Sequence, residues 1–195
     1  MKMSITIIIV IHRDLENYQK NTLYTDYFVW LKTELESISG REVKFAIYHW
    51  DEAPIFAEYN YQNDDISAAL QGWTDLLHDW YASHSERDRD ETNLMKTLLL
   101  TRHPISVRFG GLNNIQGVAT REGHCAIASI NSYRVPAHEI GHMLGATHED
   151  SDVIYDGWWH DTIMLSDDFS PLRGNAYRYS DKNRENIRQY LNRFP

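Results

Sequence analysis

A single cysteine, Cys125, rules out any intramolecular disulfide in this chain of 195 residues. The fold must be held by packing, which fits synthesis in a reducing compartment, although exported proteins of bacteria also manage without disulfides. Cations are short as well: 19 Lys and Arg stand against 28 Asp and Glu, a formal net charge of −9. That balance argues against nucleic acid and membrane as partners, since nucleic acid and anionic lipid are bound through a cationic face. No hydrophobic run is long enough to span a bilayer. The apolar start "MKMSITIIIVIH" has no small-residue cleavage site after it; Arg13 and Asp14 follow directly. Its β-branched residues between Ile5 and Ile11 read as a buried strand instead. The chain is expected to be cytoplasmic as synthesised, or to leave the cell by a route that reads no signal peptide.

What is present suffices for a core. Hydrophobic residues make up 42% and aromatics 12% of the chain, with no repeat and no linker, so one domain of 1–195 is expected. After the first strand, "NTLYTDYFVWLKTELESISG" places Leu23, Tyr27, Leu35 and Ile38 at helical spacing, with Gly40 as the stop. "REVKFAIYHW" alternates as a strand, with Val43, Phe45, Ile47 and His49 on one face. "DDISAALQGWTDLLHDWYAS" is a second amphipathic helix with Asp64 as its N-cap, and "SERDRDE" is read as a solvated run. "NLMKTLLLTR" is a third strand, and short strand-like pieces fall at 117–120 and 126–130. Pro136 is placed at the opening of the next helix. From Gly145 to Tyr179 no period stands out, and the chain closes on a helix capped by Ser180. Strands joined by crossover helices, followed by a loop-rich tail, describe a mixed α/β (α+β) domain.

The stretch "HEIGHMLGATHED" carries three histidines and a glutamate within eleven positions. On a helix, His138 and His142 stand one turn apart on one face, able to converge on one ion. Glu139 is offset by roughly 100°, which sets its carboxylate beside such an ion, where it can accept a proton from water. A positive φ at Gly145 would end the helix and bring His148 up as a third nitrogen. One catalytic Zn²⁺ with three protein nitrogens keeps a fourth position open. The other seven histidines are read as surface or satisfied core residues. Met164, in "DTIM", is either core filler or a methionine closing beneath the metal.

The long motif HExxHxxGxxH followed by Met164 resembles the metzincin signature, and within that clan the chain most resembles the adamalysin (reprolysin) proteases. The resemblance runs over nearly the whole chain: the order of elements, "LLLTR", "GVATREGHC", "HEIGHMLGATHE", "TIM" and "YRYSDKNRENIRQYLNRF". It implies a metzincin fold: a twisted mixed sheet of about five strands, long helices, and a small loop-rich lower lobe ending in a helix. The upper subdomain would span 1–145 and the lower 146–195. It implies His138, His142 and His148 as zinc ligands, Glu139 as general base and Met164 as the turn methionine. Gly117, Val118 and Ala119 would bind a protein or peptide substrate as an added strand. Val135 would line the primed-side specificity pocket, with Leu165 to Leu172 as the opposite wall and Pro171 its rigid element.

Some features depart from the resemblance. Glu149 stands where the family usually carries Asp. Ser166 stands where some metzincins place a tyrosine ligand, leaving Tyr155, Tyr177 and Tyr179 as suggested oxyanion partners. Without disulfides, Trp158, Trp159 and the last helix are expected to pack the lower lobe. The chain is expected to lack a pro-segment before its first strand, and Cys125 is either a buried core thiol or a zinc-blocking thiolate. The expected function is zinc-dependent hydrolysis of peptide bonds by a monomer, inside the cell or as a delivered effector with an inhibitor or immunity protein as partner. A zinc amidase acting on peptidoglycan peptides is the second reading. A catalytically silent zinc-bearing binding module is the third, disfavoured because a structural site needs no base such as Glu139.

Overall fold

The computed structural model describes residues 2–84, 93–107, 114–165 and 173–195; the run 85–91 and Pro171 lie outside the described residues. The isoleucine-rich start is strand β1 (Ile5–Ile11), and alternate residues of it are buried on the two faces of a sheet. A helical stretch follows as α1 (Lys20–Leu23), a π-helical segment Tyr24–Phe28 and α2 (Val29–Ser39), ended by Gly40 at φ 61°. Strand β2 (Val43–Tyr48), the short α3 (Pro54–Ala57), α4 (Ile66–His84), β3 (Met95–Thr101), β4 (Gly117–Ala119) and β5 (Cys125–Ser129) come next. The cap of α4 is Asp65, whose carboxylate accepts from Ala68 N–H at 3.0 Å. Asp64, expected in that role, instead accepts from Ser106 Oγ at 2.8 Å.

The five strands form one mixed sheet in the order β2-β1-β3-β5-β4, with only β4 antiparallel to its neighbour. Parallel strands need crossover helices, and these cover both faces. On one face, Ile5, Ile7, Ile9, Leu98 and Leu100 pack against α2, against α5 (Arg134–Met143) and against the last helix, α6 (Asp181–Leu191). On the other, Val10, Leu99 and Ile127 meet Phe56 of α3 and Trp73 and Leu77 of α4. Ser180 caps α6 as expected, its hydroxyl accepting from Asn183 N–H at 3.1 Å. Among the described residues, no helix is long and apolar enough to cross a membrane.

The segment without a period folds into a small sheet of β6 (Val153–Tyr155), β7 (Trp159–Asp161) and β8 (Gly174–Asn175). Trp158 and Trp159, expected to pack this region, are instead 57% and 52% exposed. They follow Gly157, whose φ of 111° lies in the turn of the β6–β7 hairpin, Trp159 being the first β7 residue and paired with Tyr155. The region is held from its other end. The Arg41 guanidinium, 4% exposed, donates to the carbonyls of Met3, Leu191, Phe194 and Pro195 at 2.6–2.9 Å, tying the end of α6 to the start of β1.

A second cation lies deeper. Lys96 of β3 is fully buried, and its ammonium donates to Gly123 C=O (2.8 Å) and Tyr190 Oη (2.7 Å). Burial drives its pKa down from 10.5 to about 7, with Glu122 pulling weakly the other way. Between those values the unfolded chain binds one proton more than the folded one, so stability rises with pH by up to about 1.4 kcal/mol per unit. Below pH 7 both states are protonated and the cost of the buried charge is felt in full. We expect the wild type to gain on Lys96→Met as pH is raised from 7 to 10.5 in urea unfolding. A stability difference that stays constant over that window would refute it.

Candidate active site

Helix α5 turns Ala137, Ile140 and Met143 onto the sheet, which leaves His138 and His142 facing away from it. Pro136, expected to open the helix, is its third residue, still inside the first turn where a backbone N–H would have no intrahelical acceptor. The helix ends as anticipated at Gly145, with φ 96°. Ala146 N–H donates to Gly141 C=O (2.9 Å) and Gly145 N–H to His142 C=O (3.0 Å), the paired bonds of a Schellman cap. The reversal returns the chain along the helix and sets His148 against the first two histidines.

The three Nε2 atoms lie 2.7 Å (His138–His148), 3.0 Å (His142–His148) and 3.2 Å (His138–His142) apart. On the far side of the rings, His138 Nδ1 lies 3.1 Å from Ile163 C=O and His142 Nδ1 3.1 Å from Ala146 C=O. A carbonyl can only accept, so both rings carry their proton on Nδ1 and turn an Nε2 lone pair inward. Burial, with the neighbouring imidazoles, holds His138 neutral by pushing its pKa down to about 3, and lowers that of His142. Converging lone pairs repel one another unless a cation or a proton sits among them. Tetrahedral zinc with bonds of 2.0–2.1 Å would space its nitrogens about 3.4 Å apart, so the rings need only spread slightly from the 2.7–3.2 Å seen here to admit it. The donor set therefore fits the ion. Among the described residues, this is the one group of three or more histidine, cysteine or carboxylate side chains close enough to hold a metal.

The third histidine is positioned from far away in sequence. Asn183, fully buried in the first turn of α6, accepts from Thr147 N–H at 2.8 Å and donates to Thr147 C=O at 2.9 Å. Asp150 is gripped from the same helix by Lys182 (2.6 Å) and Asn186 (2.7 Å). Nothing in the sequence marked Asn183 beyond its place just after a helix cap.

Glu139 is 6% exposed, and burial alone pushes its pKa up to about 8. It presses on the edge strand at Gly117, where an added Cβ would lie 2.6 Å from Oε1 and 2.7 Å from Cγ of Glu139. Met164 is fully buried on the other side of α5; a Cβ on Gly141 would meet its sulfur at 2.7 Å and the Tyr179 ring at 2.7 Å. Gly141, a variable position of the motif, thus lets Met164 and Tyr179 close up against the helix that carries His138 and His142.

A cavity of about 270 Å³ opens beside the cluster, lined by His138, Glu139, His148, Gly117, Val135, Leu165 and their neighbours. Val118 and Ala119 continue the strand away from it, Val118 leaning on the α4 face and Ala119 on the α5 face. Ser129 N–H donates to Gln116 C=O (2.8 Å). By the alternation of an antiparallel ladder, Val118 also faces β5, while Gly117 and Ala119 turn their backbone groups outward. The suggested oxyanion tyrosines do not line the cavity. Tyr179 is fully buried and donates to Ala137 C=O (2.7 Å), Tyr177 stacks on Tyr133, and Tyr155 lies exposed against Trp159. Cys125 packs with the α4 core, across the sheet from α5, 3.0 Å from Thr74 Oγ1. It is a core thiol and does not block the histidines.

No protein-family model and no curated protein matches the sequence. Among solved structures, metalloproteinase-II from Bacteroides fragilis superposes with a TM-score of 0.60 at 16% identity, over 96% of this chain and 52% of that one. The zinc-dependent peptidase from Methanocorpusculum labreanum gives a TM-score of 0.49 at 15% identity, over 93% of this chain and 99% of that one. At such identities the likeness is one of fold, shared with a metalloproteinase and not specific to the adamalysins. The chain spans about half the length of the Bacteroides protein.

Proposed function

We propose that the chain is a zinc-dependent endopeptidase of the metzincin type, with His138, His142 and His148 holding one ion, Glu139 as general base and Met164 as the turn methionine. The observation that carries this reading is the convergence of three imidazole Nε2 atoms beside a cavity that the Glu139 carboxyl group also lines. When bound, zinc would supply a Lewis acid that polarises the scissile carbonyl and acidifies a water. The chain does the rest. Gly117 and Ala119 offer outward backbone groups on which an extended substrate can add as a strand, binding peptide without regard to its side chains.

Glu139 takes a proton from the attacking water as the new C–O bond forms. As the C–N bond breaks, the same carboxyl returns that proton to the leaving amine. A structural zinc site has no use for such a base, which weighs against a silent binding module.

The reading is tested with denatured casein. We expect cleavage by the zinc-loaded chain, its loss in 1,10-phenanthroline and its return on adding zinc. Casein left intact by a chain with one zinc bound would count against a general endopeptidase.

A further inference from the structure

Beyond the catalytic cavity lies a second, of about 370 Å³, which shares Gln116, Arg134 and Val135 with the first. Its place along a substrate follows from the strand direction. A peptide pairing antiparallel with β4 runs from Ala119 toward Gly117 and Gln116, so the residues after the scissile bond reach this second cavity. On the proposed endopeptidase reading, on which this inference rests, it receives the side chain that follows the cut.

Its walls are polar. Arg134, Asp161 and Arg173 have side chains only 14%, 7% and 21% exposed. Asp161 engages Arg173 at 3.0 Å, whereas Arg134 Nη1 stands 3.6 Å from the Asp161 carboxylate, beyond good hydrogen-bond reach. The other amino group of Arg134 is spent on Leu165 C=O (2.7 Å). Gln116 is fixed in orientation: its Oε1 accepts from Ser129 Oγ (2.7 Å) and Asn131 Nδ2 (2.6 Å), which leaves its NH₂ as the donor. Arg134 Nη1 and Gln116 Nε2 are thus two donors held on the shared wall. An apolar side chain would strip water from them and give nothing back.

We propose that this cavity selects a side chain ending in a carboxylate or carboxamide oxygen, glutamate or glutamine, immediately after the scissile bond. A site built to hydrogen-bond its ligand rejects the isostere that cannot, by a wider margin than an apolar pocket does. Glutamate would draw more on Arg134, and glutamine would be spared the Asp161 carboxylate.

The experiment has two arms. A peptide library is digested by the zinc-loaded chain, with Glu139→Ala as the blank, and the residue after each cut is counted. In parallel, the zinc-loaded Glu139→Ala protein is titrated by NMR with the tripeptides Glu-Ala-Ala, Gln-Ala-Ala and Leu-Ala-Ala. We expect glutamate or glutamine after the cut at least about tenfold over leucine, and the same order in the titration. Arg134→Met, and separately Gln116→Leu, should narrow the glutamate-to-leucine ratio of kcat/KM. Leucine or phenylalanine prevailing after the cut, or a leucine tripeptide that binds as well as the others, would overturn the proposal, as would no tripeptide binding at all. A library left uncut while the polar tripeptides still bind selectively would sink the endopeptidase reading and leave the cavity's preference standing.

Discussion

Glu139→Ala is expected to lose about 10²- to 10⁴-fold in peptide hydrolysis while holding as much zinc as the wild type. The two halves of that result come from separate parts of the site. Metal retention depends on three imidazoles, two of which are oriented by Ile163 and Ala146 carbonyls that Glu139 does not touch. Proton transfer depends on a carboxylate pressed against a strand with no room to spare. For that reason Gly117→Ala should behave like a weaker version of the same lesion. Its new Cβ falls 2.6 Å from Oε1, closer than two such atoms can stand, so the carboxylate has to move. A misplacement of about 1 Å can cost on the order of 10²-fold. Steady-state rates with zinc content measured on the same samples decide it. If Glu139→Ala keeps its rate, the base lies elsewhere; if it loses zinc, the separation of roles is wrong.

His148→Ala should abolish stable metal binding, since only two nitrogens would remain where zinc needs at least three protein ligands to sit securely. Activity would go with it. A graded counterpart is Asn183→Ala, which leaves all three imidazoles in place but frees Thr147, the residue before the third histidine. Loss of a group that orients a ligand typically weakens metal affinity by about 10- to 100-fold. Competition with a chromophoric chelator measures both variants on one scale. Unchanged affinity in Asn183→Ala would mean that the helix cap of α5 holds His148 unaided.

How much of this could be read from the sequence depended on how local the cause was. The strand at Ile5–Ile11 announced itself because a strand buried on both faces needs apolar residues at every position. The stop at Gly145 and the cap at Ser180 were legible because each acts within a few residues of itself. The histidine spacing was legible for the same reason. What escaped is either too short or too distant. Strands of two or three residues, as in β6, β7 and β8, leave no period to detect. The π-helical segment Tyr24–Phe28 sits inside an unbroken apolar pattern that an ordinary helix would also satisfy. Trp158 and Trp159 were misjudged because size and apolarity suggested burial, whereas the glycine between the hairpin strands decided where they point. Asn183, Arg134 and Gln116 matter through partners between 13 and 36 residues away, a distance that no local pattern records.

The grip of α6 on Thr147 and Asp150 also orders events in time. A chain made from its N-terminus can lay down β1 to β5 and the helix bearing His138 and His142 while Asn183 is still unmade. Until the last helix docks, His148 has no anchor on that side, and a nascent chain holds only two imidazoles of the three in place. The three-histidine centre is then complete only once this helix docks, so on the proposed peptidase reading an unfinished product would be inert toward the proteins around it.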